Sequence, residues 1–98
     1  GGQEAAGLPP GQAVRVKLSR NLSFGSSGDD VSILQKFLIK ENVYPEGLVT
    51  GLFARLTKQA VIRFQEKYAF SILQQFTLTR GTGFVGPATR KKINELLK

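Results

Sequence analysis

An all-α domain, a compact three-helix bundle with irregular connecting loops, is the fold this sequence predicts, and three observations carry it. Three separate stretches place apolar residues at helical spacing. A pattern that starts a helix is written twice, as Thr50-Gly51-Leu52-Phe53-Ala54-Arg55-Leu56-Thr57-Lys58-Gln59-Ala60-Val61 and as Thr82-Gly83-Phe84-Val85-Gly86-Pro87-Ala88-Thr89-Arg90-Lys91-Lys92-Ile93. The 98 residues, 41% of them apolar, suit one modest core with a thin stability margin.

Residues 1–13 are rich in Gly, Pro and Ala and lack an apolar period, so they read as a flexible linker or tail ahead of a domain at 14–98. A linker in front of a folded unit suggests a domain taken from a longer protein. Val14-Arg15-Val16-Lys17-Leu18 alternates apolar and basic residues, as a short strand or an extended arm over the core would. The first helix is expected over about 28–42. Ser27 is its N-cap and Asp30 completes a capping box, both aspartates sit at the positive end of the dipole, and Val31, Leu34, Phe37 and Leu38 form one apolar face. Pro45 and Gly47 break the pattern after it.

The second helix is expected over about 54–69, with Thr57, Val61, Phe64 and Tyr68 on one face and Ile62 and Ala69 beside them. A long loop follows from Phe70 to Gly83, in which residues 76–80 alternate like a short extended segment. The third helix is expected over about 87–97, with Pro87 at its first position and Ile93, Leu96 and Leu97 as its stripe.

The doubled pattern has a physical explanation without a ligand. Each glycine permits a turn with positive φ, the two apolar residues after it plug the core, and each threonine falls near N3, where its hydroxyl serves first-turn backbone groups. The caps differ: Gly86-Pro87 starts a helix well, whereas Ala54 is a poor N-cap costing about 1 kcal/mol, so the first of the two helix starts is expected to be the looser. Leu34-Gln35 and Phe64-Gln65 form a further echo, and amides in those positions can bond to the facing loops and pin them.

Composition excludes much chemistry. There is no cysteine and no histidine, so thiol chemistry, ordinary nucleophilic triads and soft metal sites are not expected, and no cofactor or metal is proposed. Asp29 and Asp30 are adjacent and diverge on a helix, and nothing in the spacing of Glu41, Glu46, Glu66 and Glu95 proposes a glycosidase pair. No run reaches a membrane span, and any export signal would lie outside these residues. The net charge of +7 favours an anionic partner.

The order Gly25-Ser26-Ser27-Gly28-Asp29-Asp30-Val31, Leu34-Gln35-Lys36-Phe37-Leu38, Gly51-Leu52-Phe53, Thr57-Lys58-Gln59-Ala60-Val61, Phe64-Gln65 and Gly83-Phe84-Val85-Gly86-Pro87-Ala88-Thr89 resembles the small three-helix peptidoglycan-binding domain family. The resemblance spans Leu22 to Leu97. It departs at Ala54, where the family usually has Gly, and in the loop 70–82, which is longer than the common form. It implies a non-catalytic cell-envelope module, periplasmic or extracellular, that tethers a catalytic or anchoring domain to peptidoglycan and acts as a monomer without inserting in a membrane.

A reader of peptidoglycan needs basic donors for stem-peptide carboxylates beside apolar groups for the sugars. Arg55, Lys58 and Arg90 are the candidate donors, Tyr44, Phe53 and Phe84 the candidate aromatics, and Thr57 completes the ligand-binding set. Core plugging is the competing role for Tyr44 and Phe53, and a solvated face for the three cations. The alternative function is a small basic helical nucleic-acid-binding domain, suggested by the charge and by Arg90-Lys91-Lys92; the long connection before the last helix argues against a helix-turn-helix. A prodomain role of the same fold would require a zinc-blocking cysteine, which this chain lacks.

Overall fold

In the computed structural model, which describes residues 17–73 and 80–97, four helices follow one another: α1 (Asp29–Lys40), α2 (Arg55–Lys67), α3 (Ala69–Ile72) and α4 (Pro87–Leu96). The expected linker 1–13, the start of the alternating arm at 14–16 and the extended segment at 76–79 lie outside the described residues. The fold is all-α as expected, and among the described residues the only β-like pairings are two isolated antiparallel bridges, Leu22 with Val85 and Ser27 with Leu52.

Helix α1 buries Val31, Leu34, Gln35, Phe37 and Leu38, the stripe that its spacing predicts. Its start departs from expectation. Gly28, not Ser27, occupies the N-cap with φ +135°, and no side chain caps it. Arg20 takes the carboxylate that a capping box would use: Nε donates to Asp30 Oδ2 (2.5 Å) and Nη2 to Asp30 Oδ1 (3.1 Å), and Nη2 also donates to the Ser27 carbonyl (2.7 Å). A guanidinium fork gives the carboxylate two charge-assisted bonds and outcompetes the single backbone N–H that a capping box would offer it.

The end of α1 is set by Asn42 rather than by Pro45 or Gly47. Asn42 is the one described non-glycine residue with positive φ (64°), and its N–H bonds to the Ile39 carbonyl while that of Val43 bonds to Leu38. This pair of bonds is a Schellman motif, in which a left-handed residue satisfies the last helical carbonyls.

Helix α2 buries Thr57, Ala60, Val61, Phe64 and Gln65. It stops at Lys67, two residues short of expectation, because Tyr68 (φ −112°, ψ 36°) leaves the helix and its hydroxyl donates to Glu41 Oε1 at 2.8 Å. The chain then makes the short helix α3, which takes up Ala69 and the start of the long loop expected from Phe70, and buries Ile72 and Leu73. Helix α4 begins at Pro87 as expected and buries Thr89 and Ile93. Both N-caps, Ala54 and Gly86, are extended and neither has a side-chain cap bond, so the expected contrast between the two helix starts is not visible in their geometry.

Helix α1 packs on α2, and α3 packs on both α2 and α4. Phe64 lies at the centre, fully buried, with the Phe37 ring edge-on at 5.3 Å and the Tyr68 ring at 5.0 Å. The segment before α1 closes the core from outside. Leu18 and Leu22 are buried, Asn94 of α4 grips both polar groups of the Leu18 backbone (2.8 and 3.0 Å), and Leu22 exchanges two hydrogen bonds with Val85. Leu18 therefore belongs to an arm laid on the core, one of the two forms its sequence allowed.

Candidate functional site

The repeat resolves into two copies of one polar node. In the first, the fully buried Gln35 of α1 accepts the N–H groups of Thr50 (2.8 Å) and Gly51 (2.9 Å) at Oε1. Its Nε2 lies in donor range of Thr50 Oγ1 (3.2 Å), the Leu52 carbonyl (3.1 Å) and Thr57 Oγ1 (3.0 Å). In the second, Gln65 of α2 accepts the N–H groups of Thr82 (2.8 Å) and Gly83 (3.0 Å). Its Nε2 reaches Thr82 Oγ1 (3.2 Å), the Phe84 carbonyl (2.9 Å) and Thr89 Oγ1 (3.1 Å). The threonines at N3 thus receive glutamine amides instead of serving the first turn, because a buried amide must find partners and the hydroxyl is a buried acceptor within reach. Gly51 and Gly83 share φ +78°, the left-handed conformation that presents two successive N–H groups to one oxygen.

Each turn delivers one apolar residue inward and one outward. Phe53 and Val85 are fully buried, whereas Leu52 and Phe84 are 49% and 44% exposed, so only the second residue of each expected apolar plug enters the core. The outward residues form the lips of two shallow hollows. The first, about 300 Å³, lies between the 44–52 loop and the start of α2 and is lined by Tyr44, Leu48, Leu52, Arg55, Leu56 and Thr57 among others. The second, about 210 Å³, is lined by Ile72, Leu73, Thr82, Phe84, Pro87 and Ala88 among others.

The seven residues singled out in the sequence fall in different places. Tyr44, Arg55 and Thr57 share the first hollow. Tyr44 is nonetheless 4% exposed and its hydroxyl donates to the Leu48 carbonyl at 2.7 Å, so the ring forms a floor and holds the loop. Thr57 is buried against Gln35, and Phe53 is in the core and touches neither hollow. Arg55 is exposed at the rim. Lys58 is exposed with its stem lying over Gly83, and Phe84 lines the second hollow. Arg90 lines neither; its Nε donates to Asn21 Oδ1 at 3.1 Å. Leu48 and Leu52 were not singled out, although the alignment of Leu52 with Phe84 in the repeat marks it as the equivalent lip.

Charge around the hollows is uneven. Among the described residues no carboxylate pairs with Arg55 or Lys58. Four of the six acidic side chains weighed in the sequence are engaged in structural contacts: Asp30 with Arg20, Glu41 with Lys67 and Tyr68, Glu66 with the Gly81 N–H, Glu95 with Lys92. A polar recess of about 230 Å³ near Lys91, Lys92 and Glu95 lies on the far side of Ala88, where the Lys92 ammonium sits 5.1 Å from the Tyr68 ring centre and 3.9 Å from Glu95. The Tyr68 hydroxyl is held above its usual pKa, first by its hydrogen bond to Glu41 and then by burial. Among the described residues no helix is long and apolar enough to cross a membrane, and no three acidic, cysteine or histidine side chains cluster to hold a metal.

Residues 27–72 match the family described as a putative peptidoglycan binding domain, the family that the sequence resembles. The match covers just under half of the chain. It includes the whole Gln35 node and the first hollow and ends with α3, leaving the second copy of the turn outside it. No curated protein and no solved structure gives a significant match.

Proposed function

We propose that this chain, whose residues 27–72 carry the pattern of the peptidoglycan-binding family, is a non-catalytic module that binds peptidoglycan and tethers an attached enzyme or envelope protein to the cell wall. One observation carries the reading: inside the matched segment, a buried glutamine locks a loop into a hollow with an apolar floor and lip and, at the rim, an arginine that no carboxylate among the described residues pairs with. Tyr44, Leu48 and Leu52 offer a surface for the apolar face of an N-acetyl sugar. Arg55 offers its fork to a stem-peptide carboxylate, a charge-assisted contact worth roughly 1.5–3 kcal/mol where water is excluded. The engagement of Asp30, Glu41, Glu66 and Glu95 in structural contacts supports a binder rather than a hydrolase.

Sedimentation with purified sacculi tests the function. The wild-type domain is expected in the pellet, and the double variant Arg55→Ala with Lys58→Ala in larger part in the supernatant. Unchanged retention of the variant removes this site, and a wild-type domain that stays in solution removes the function. Retention that persists in moderate salt separates wall binding from phosphate-driven nucleic-acid binding, which falls linearly on a logarithmic salt scale.

A further inference from the structure

The two nodes are joined through α2. Thr57 belongs to the first and Gln65 to the second, and eight positions on one helix set them about 12 Å apart along its axis. Lys58 closes the interval at the surface. A Cβ placed on Gly83 would lie 2.7 Å from Lys58 Cγ and 2.9 Å from Cε, so the lysine stem runs from the start of α2 across the second turn. Lys58, the residue after Thr57 of the first hollow, lays its stem on the Gly83 turn, whose neighbours Thr82 and Phe84 line the second, so the lysine links the two hollows.

The hollows are equivalent in backbone and different in chemistry. Leu52 in one stands where Phe84 stands in the other, and Leu56 where Ala88 stands. Arg55 of the first is replaced by Pro87 in the second, which has neither charge nor N–H to donate. The second hollow is thus an apolar recess floored by Ile72 and Leu73. Two like turns from an internal repeat, one with a cationic rim and one without, suit a ligand that also repeats and that alternates apolar faces with carboxylates.

Resting on the wall-binding reading, we propose that the two hollows are paired subsites for one extended glycan strand, which lays sugar faces on Leu52 and Phe84 and a stem-peptide carboxylate on the Lys58 ammonium between them. Because, among the described residues, an arginine lines the first subsite and none lines the second, the strand is held in one direction. Two joined subsites raise affinity by effective concentration, by about 100-fold or more over either alone.

The test uses the wild-type chain, a single-disaccharide muropeptide and a fragment of two disaccharide repeats, read by amide chemical shifts and calorimetry. The longer fragment is expected to bind one to one, at least about 100-fold tighter than the shorter, and to shift the amides of both Leu52 and Phe84. Phe84→Ser is expected to bring the longer fragment down to about the affinity of the shorter and to abolish the shift at residue 84 while the shift at Leu52 persists. The carbonyl of residue 84, not its ring, serves Gln65, and a melting curve verifies that the variant folds. Lys58→Met, which keeps the stem over Gly83 and removes the charge, is expected to weaken the longer fragment about tenfold. Shifts confined to the first hollow, two protein molecules per fragment, or unaltered affinity in both variants overturn the paired subsites and leave wall binding standing. Failure of the wild type to bind either fragment or sacculi overturns both.

Discussion

Gln35→Leu is the perturbation that tests the architecture of the site most directly. Leucine fits the space of the amide but abandons the Thr50 and Gly51 N–H groups, the Leu52 carbonyl and the Thr57 hydroxyl. Thr50 and Leu52 are exposed, so their groups turn to water when the loop loosens, and each lost bond there costs about 0.5–1.5 kcal/mol. Thr57 is 2% exposed and its stranded hydroxyl costs about 1–3 kcal/mol. Burial of the leucine offsets part of this, which leaves a net loss of about 2–4 kcal/mol. A chain of 98 residues is stabilised by roughly 5–15 kcal/mol, so the variant stays folded at room temperature and melts about 10–25 °C lower. Thermal denaturation followed by circular dichroism gives the midpoint, and hydrogen exchange gives the location: the Thr50 and Gly51 amides lose protection while those of Thr82 and Gly83 keep it. The exposed Gln59→Leu is the matched control and should change stability by less than about 0.5 kcal/mol. A Gln35→Leu midpoint within about 2 °C of wild type, or undiminished protection at Thr50 and Gly51, refutes the claim that this amide holds the hollow open.

Two other expectations concern the turns and the α1 start. Ala at Gly51 or Gly83 meets the same φ of +78°, a penalty of about 1–2 kcal/mol in either copy, but only Gly83→Ala also displaces the Lys58 stem, visible as a change in the lysine side-chain NMR signals absent from Gly51→Ala. The Asp30 carboxyl is held below its usual pKa chiefly by its hydrogen bond from Arg20. The pair therefore contributes stability above the ordinary carboxylate range and loses it as pH falls through the depressed value, and Arg20→Met should flatten the acid limb of denaturation midpoints measured against pH.

Much of this domain is legible in one dimension because its determinants are local. Val31, Leu34, Phe37 and Leu38 declare a buried helical face by spacing, and Pro87 declares a helix start by its fixed φ. The echo of Gln35 in Gln65 pointed to amides that pin facing loops, and both do so. What failed involved competition between partners far apart in the chain. Ser27 and Asp30 have the spacing of a capping box, yet Arg20 takes the Asp30 carboxylate and Gly28 becomes the N-cap. Tyr68 has the spacing of a helical residue, yet its backbone leaves α2 and its hydroxyl bonds to Glu41 at the end of α1.

The sequence by itself determined the all-α class, the positions of the three long helices and the existence of a repeated turn, since each depends on side-chain period or on the φ freedom of a glycine. Only the tertiary structure decided which member of each apolar pair turns outward. Leu52 and Phe84 are as apolar as Phe53 and Val85, and nothing in composition separates lip from plug. The choice follows from the glutamine nodes. Once Gln35 and Gln65 take two successive N–H groups and the carbonyl of the following residue, the backbone is oriented and the next side chain must enter the core.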